Sequence, residues 1–179
     1  MGYDTRYDSH GLSQILATVL KAHGIKVYCL DRPAIAPFIA FFAAKFKCLM
    51  GLLVTGGDGD RSTSGLIAFN ARGRIISKET SSAINRFMLD FIKSQHSIFD
   101  LSPLFDYSSK KVRFKPDNFT DVTIKSYIQD LEERFLINQR KVNKLCPKLL
   151  VTSMHGPASD YITKVFANFG FSNLSSGDI

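Results

Sequence analysis

The residues with the most chemical potential lie in one loop, Thr55-Gly56-Gly57-Asp58-Gly59-Asp60-Arg61-Ser62-Thr63-Ser64-Gly65. Its glycines let main-chain N–H groups approach a phosphate closely. Arg61, together with Arg6 near the N-terminus, offers forked donors suited to phosphate oxygens. Asp58 and Asp60 are candidate hard oxygen ligands for Mg2+, a cation that also draws on substrate oxygens and water. The alternative reading of the same composition is a solvated polar loop. Two more specific schemes are excluded. An EF-hand would need glycine where Thr63 stands and a bidentate glutamate where Phe69 stands. A Walker A string is absent. His10, His23, His96 and His155 have no Ser or Cys partner at a diagnostic spacing, so each reads as structural or exposed.

The surrounding composition narrows the class. In 179 residues, 23 Lys+Arg stand against 16 Asp+Glu, a net charge of +7. That balance favours anionic partners, although solubility alone explains it equally well. The densest basic groups are Lys110-Lys111-Val112-Arg113 and Arg140-Lys141 with Lys144. None reaches the roughly five to eight residues of a nucleic-acid tail, so a nucleic-acid module rests on net charge only. Cys29, Cys48 and Cys146 are far apart, and the first two sit in apolar runs. This is the pattern of reduced thiols in a reducing compartment, and cytoplasmic residence is expected. The start Met1-Gly2-Tyr3-Asp4-Thr5-Arg6 is too polar for a signal peptide. The apolar run from Ala34 to Ala44 is too short to span a bilayer and contains Pro37. No membrane partner is expected. Nothing in the sequence sets the oligomeric state.

The elements that must hold these loops follow from periodicity. Leu12, Ile15, Leu16, Val19 and Leu20 form a helical stripe, with Ser9 as a candidate cap and Gly24 at the C-terminal stop. Residues 25–30 read as a strand, and Pro37 to Lys47 as a second, well-buried helix. Cys48 to Thr55 reads as a buried strand. Leu66–Phe69 and Arg74–Ile76 read as a hairpin turning at Gly73. Ile84, Phe87, Met88, Phe91 and Ile92 mark a third helix. Ser94 to Asn118 reads as irregular surface. Ile124, Tyr127, Ile128, Leu131 and Phe135 mark a fourth helix, and Asn138 to Pro147 a linker. Leu149–Thr152 reads as a strand, and Tyr161, Ile162, Val165, Phe166 and Phe169 as a fifth helix closed by Gly170. The class expected is α/β, with a mixed, mostly parallel sheet flanked by helices. In such sheets ligands gather at the carboxyl ends of strands, which selects the Gly2–Arg6 and Thr55–Gly65 loops.

Several strings, in order, resemble the α-D-phosphohexomutases. Gly2-Tyr3-Asp4-Thr5-Arg6 is similar to that family's Gly-Tyr-Asp-x-Arg segment. Gly24-Ile25-Lys26-Val27-Tyr28, then Asp31-Arg32-Pro33 and Pro37-Phe38, resemble the approach to its phosphoserine loop. Gly65 and the hairpin ending Ile75-Ile76-Ser77 correspond as well. Val151-Thr152-Ser153-Met154-His155-Gly156 resembles the Thr-x-x-His-Gly opening of the second domain. The nearest branch is the phosphoglucomutase relatives that include phosphopentomutase and glucose 1,6-bisphosphate synthase.

The resemblance implies a phosphoserine that exchanges its phosphoryl group with a sugar phosphate. It also implies Mg2+ held by three Asp of domain two, and sugar- and phosphate-reading loops from two further domains. One departure is central. Where the family reads Thr-Ala-Ser-His-Asn-Pro, this chain reads Thr55-Gly56-Gly57-Asp58-Gly59-Asp60. Only Thr55 matches, and Gly57 replaces the nucleophilic serine. No catalytic residue is then expected. Arg6, Thr55 and Arg61 stand as phosphate-binding candidates, and Asp58 and Asp60 as metal candidates. The string Gly57-Asp58-Gly59-Asp60-Arg61 resembles the family's own metal loop, displaced into domain one.

By the same resemblance, 1–137 is domain one lacking most of its first strand. Residues 138–147 are a linker, and 148–179 begin domain two. The expectation is a truncated relative of a phosphoglucomutase or phosphopentomutase, inactive as a mutase by itself. A regulatory remnant that binds sugar phosphate or Mg2+ is the alternative.

Overall fold

The computed structural model describes residues 1–60, 62–94, 105–106, 111–112, 120–136 and 138–177. Its three-stranded sheet places the second strand of the chain between the first and the third. β1 (Gly2–Tyr3) lies parallel to β2 (Met50–Val54), with Gly2 opposite Leu53 and Tyr3 opposite Val54. β3 (Leu66–Asn70) runs antiparallel to β2, from Met50 opposite Asn70 to Val54 opposite Leu66. The sheet is therefore mixed, as expected. Helices α1 (Ser9–Ala22) and α2 (Ala36–Lys45) both pack on β2.

α2 forms the centre. Pro37 at its start fixes φ where no intrahelical N–H is required. Its Phe38, Ile39, Phe42 and Ala43 are buried, and the first three join Leu53 and Phe69 of the sheet in one core. On its other side stand α4 (Thr120–Phe135) and α6 (Ser159–Asn168). The Phe38 ring lies 5.4 Å from that of Tyr127 and 5.1 Å from that of Tyr161. Tyr161 Oη donates to the Pro33 carbonyl at 3.2 Å, and burial raises its pKa. One core thus joins residues at both ends of the chain.

Several expectations are corrected. Residues 25–30 do not form a strand element. They bond Met1 instead: the Met1 ammonium donates to Tyr28 O at 2.6 Å, and Leu30 N–H donates to Met1 O at 3.0 Å. That is parallel bonding over one residue, too short for a ladder. α1 buries Ser9, Ser13, Ala17 and Thr18, whereas Leu12 and Ile15 of the predicted stripe face outward. Its N-cap is Asp8, not Ser9. Its end is as expected: Gly24 at φ +74° donates to Lys21 O and Ile25 N–H to Leu20 O, the paired bonds of a Schellman stop.

The second arm of the hairpin is reduced to a bridge between Phe69 and Ile75, with Gly73 at φ +72° in the turn. α3 (Lys78–Lys93) forms with Ser77 as its cap, yet none of its residues is buried. The predicted irregular stretch 94–118 lies mostly outside the described residues. Its described part includes an antiparallel pair, β4 (Phe105–Asp106) with β5 (Lys111–Val112). The segment read as a linker contains a short helix, α5 (Gln139–Leu145), stopped by Cys146 at φ +39°. β6 (Leu149–Val151) gains an unpredicted parallel partner, β7 (Leu174–Ser176), so 149–176 is a complete β-α-β unit. Among the described residues no helix is long and apolar enough to cross a membrane.

Candidate functional site

β1 and β2 are parallel, so their carboxyl ends release two loops side by side. Asp4 N–H still bonds Val54 O at 3.1 Å, and the chains then part. Asp4 is buried at this fork. Its carboxylate accepts from Ser9 Oγ at 2.5 Å and from Arg6 N–H at 3.0 Å, and faces Arg6 Nε at 3.3 Å. Burial pushes its pKa upward, but the Ser9, Thr55 and Arg6 hydrogen bonds and the Arg6 charge outweigh it. The net direction is down, and the carboxylate stays ionised.

Arg6 is the staple of the second loop. Its Nη2 donates to Gly57 O at 2.6 Å and its Nη1 to Asp60 O. With Nε on Asp4, the guanidinium joins β1's loop to β2's loop through main-chain carbonyls. The candidate phosphate ligand therefore has its fork turned onto protein. Thr55 also faces inward: it bonds Asp4, and its hydroxyl accepts Gly57 N–H at 3.1 Å.

Gly57 has φ +57°, a conformation that side chains with a Cβ rarely adopt, and open space where a Cβ would stand. Gly56 is the opposite case. A Cβ there would sit 2.2 Å from Thr63 O and 2.8 Å from Arg6 Nη1. The loop is thus a tight turn threaded past Arg6, closed by Gly59 N–H to Gly56 O at 3.0 Å.

Asp60 folds back on its own turn. Its Oδ1 accepts Ser62 N–H at 2.8 Å, Ser62 Oγ at 2.6 Å and Thr63 Oγ1 at 3.2 Å. The Ser62 hydroxyl and then its N–H hold this carboxylate below its usual pKa. Asp58 is exposed. Among the described residues no three His, Cys, Asp or Glu side chains gather as a metal would require. The pair Asp58 and Asp60 does not fit a Mg2+ cage, because one member already serves the turn. Arg61 lies outside the described residues.

A third segment closes the site. The turn after β6 brings His155 across, and Thr5 Oγ1 donates to His155 O at 2.8 Å. Met154 at φ +47° and His155 at φ +64° are both left-handed without being glycine, a local strain of about 1–3 kcal/mol each. The three segments enclose a cleft of about 550 Å³, lined by Asp4, Thr5, Arg6, Thr55, Gly57, Gly59, Met154, His155 and Gly156. That is within the roughly 300–1,000 Å³ of small-molecule sites. His155 is exposed, in keeping with its reading as structural or exposed, and it is its main-chain carbonyl that reaches Thr5.

The comparisons with known proteins agree with this geometry. The human glucose 1,6-bisphosphate synthase is 26% identical over 183 residues, covering 96% of this chain and 27% of that protein. A phosphoglucomutase of Staphylococcus haemolyticus is 23% identical, covering 97% of this chain and 30% of the relative. The chain thus spans about a quarter to a third of the length of these relatives. Among solved structures, a Thermus thermophilus protein described as a phosphomannomutase superposes with a TM-score of 0.72 at 18% identity, over 98% of this chain and 36% of that one. Residues 1–92, just over half the chain, match the α/β/α domain I of phosphoglucomutase and phosphomannomutase, and the chain belongs to that family.

Proposed function

We propose that the cleft receives a phosphorylated sugar and that this chain does not carry the phosphoryl group itself. The observation behind this reading is Gly57. At the position that, by the resemblance, answers to the family's serine there is no hydroxyl, and the left-handed backbone there disfavours any side chain with a Cβ. Relatives named for glucose 1,6-bisphosphate synthesis and phosphoglucomutase activity supply the ligand class.

In this reading Arg6 is a positioning residue. It shapes the loop through Gly57 O and Asp60 O, and Asp4 keeps it in place. Thr5, Thr55 and the His155 turn supply the polar lining. Mg2+ has no role built from Asp58 and Asp60. The chain is a sugar-phosphate binder without mutase turnover of its own.

Calorimetric titration with glucose 1,6-bisphosphate, with and without Mg2+, tests the binding. Saturable heat at millimolar ligand or below, unchanged by Mg2+, is expected; no heat at millimolar ligand refutes it. Assays with glucose 1-phosphate and ribose 1-phosphate test the second half. Turnover by the purified chain would overturn it.

A further inference from the structure

The topology sorts charge as well as loops. Within residues 1–77 the acids are Asp4, Asp8, Asp31, Asp58 and Asp60, and all lie at the cleft end of the sheet. Asp4, Asp58 and Asp60 belong to the two cleft loops, and Asp8 caps α1 beside Asp60. Asp31 leads to Ala34, whose N–H bonds Tyr3 O at 2.7 Å. Arg6 and Arg32 at this end are paired with Asp4 and Asp31. The opposite end carries Lys21, Lys26, Lys45, Lys47, Arg72 and Arg74, all exposed, and no acid of residues 1–77.

Three turns bring these cations together. Lys21 and Lys26 flank the stop of α1, and Lys45 and Lys47 the end of α2. Met50 is opposite Asn70, whose carboxamide oxygen accepts Arg72 N–H at 2.9 Å and Arg74 N–H at 3.2 Å and so holds the turn. Gly73 of that turn lies against α2: a Cβ there would stand 2.4 Å from Ala40 O and 3.5 Å from Ala44 Cβ. Helix dipoles account for Lys21 and Lys45, which lie in last turns. Lys26, Lys47, Arg72 and Arg74 lie outside helices. Among the described residues none of Lys45, Lys47, Arg72 and Arg74 pairs with an acid. Lys26 and Lys47 line an apolar slot beside Met50, but Lys21, Lys45, Arg72 and Arg74 do not, so the basic pole stands whatever fills that slot.

We propose that this pole seats the chain on an anionic bilayer surface, with the cleft turned to the water. Anionic headgroups attract each nearby Lys or Arg, roughly fivefold in affinity apiece. Apolar tips stand among the charges, with Leu49 88% and Ile75 65% exposed. Cations around aliphatic tips suit the boundary between headgroups and acyl chains. The exposed apolar side chains of this pole are mostly aliphatic, Ile25, Leu49, Met50 and Ile75 against Phe46, whereas single-stranded nucleic acid calls for aromatic platforms. The acids at the far end set the orientation, because the same surface repels them. The seat is separate from the sugar-phosphate reading, and neither test depends on the other.

The test is cosedimentation of the full chain with vesicles of about 30 mol% phosphatidylserine in phosphatidylcholine, at about 0.1 M salt. Binding at least about tenfold stronger than to phosphatidylcholine alone is expected, and most of it is lost at about 0.5 M salt. Arg72→Ala with Arg74→Ala should weaken it about 25-fold, at roughly fivefold per charge. Arg140→Ala with Lys141→Ala removes the same net charge from α5 and should weaken it less than about threefold. Equal losses for the two pairs would mean net charge alone and would overturn the proposal. So would absent binding, or equal binding to both vesicles. A uridine oligonucleotide that displaces the vesicles at equal concentration would assign the pole to nucleic acid, and would overturn it as well. As an independent readout, the chain has no tryptophan, so Leu49→Trp places a single reporter at the pole. Its emission should shift to the blue on the vesicles while that of Asp58→Trp should not. The reverse pattern would refute the orientation.

Discussion

Replacing Gly57 by alanine asks whether glycine there is a conformational requirement. The backbone there has φ +57°, and no heavy atom lies within 4 Å of the new Cβ. The whole cost is then the left-handed strain of a residue with a Cβ, about 1–2 kcal/mol. Gly56→Ala is the internal comparison, since its Cβ would meet Thr63 O at 2.2 Å and the Arg6 guanidinium. Backbone must move there, at about 3 kcal/mol. Urea denaturation at neutral pH reads both. With a slope of about 1–3 kcal/mol per molar, Gly57→Ala should lower the midpoint by roughly 0.5–1 M, and Gly56→Ala by about twice that. Gly57→Ser should match Gly57→Ala and take up no phosphoryl group from glucose 1,6-bisphosphate by intact mass. A negligible loss for Gly57→Ala, or a loss exceeding that of Gly56→Ala, would refute the account of the loop.

Three further outcomes follow from the same contacts. Arg6→Lys keeps the charge but loses the fork on Gly57 O and Asp60 O, so amide exchange of residues 56–63 should accelerate severalfold while global stability changes little; unchanged exchange would remove Arg6 as the staple. Asp4 has a folded pKa below its ordinary 3.8, so its stabilisation is present above about pH 4 and lost as pH falls through the folded value. Asp4→Asn should flatten the acid limb of a stability curve, and parallel curves for the two proteins would contradict the assignment. Phe38→Ala empties the fully buried centre of the core and should cost about 3–5 kcal/mol by calorimetry or denaturant, with a loss under about 1 kcal/mol inconsistent with the packing.

Legibility in the sequence followed burial. α2, with Pro37 at its start and apolar residues on most sides, appears as read, because its environment leaves few alternatives. α1 forms where it was read, but the side it buries was not legible. Its strongest apolar stripe and its sheet-facing side differ, and the small residues Ser9, Ser13 and Ala17 win the contact by allowing close approach. Residues 25–30 have strand-forming composition, but a strand is a pairing, and the pairing with Met1 covers one residue. β7 was missed because Leu174-Ser175-Ser176 has little intrinsic preference; its partner β6 and the α6 crossover impose it. At the site, placement by strand ends was legible and roles were not. Arg6 and Asp60 are of the right types for ligands, yet their partners are this chain's own carbonyls and hydroxyls, which spacing does not reveal.

The bond from Tyr161 to Pro33 spans 128 positions of chain. Phe38 has its final neighbours only when α6 arrives. During synthesis, the amino-terminal half therefore emerges with its central aromatic cluster uncovered and waits for most of the remaining polypeptide. Loop closure over such a distance is slow relative to helix formation. A chain lacking α6 would leave the Tyr161-facing side of Phe38 uncovered, an apolar surface of the kind that promotes aggregation.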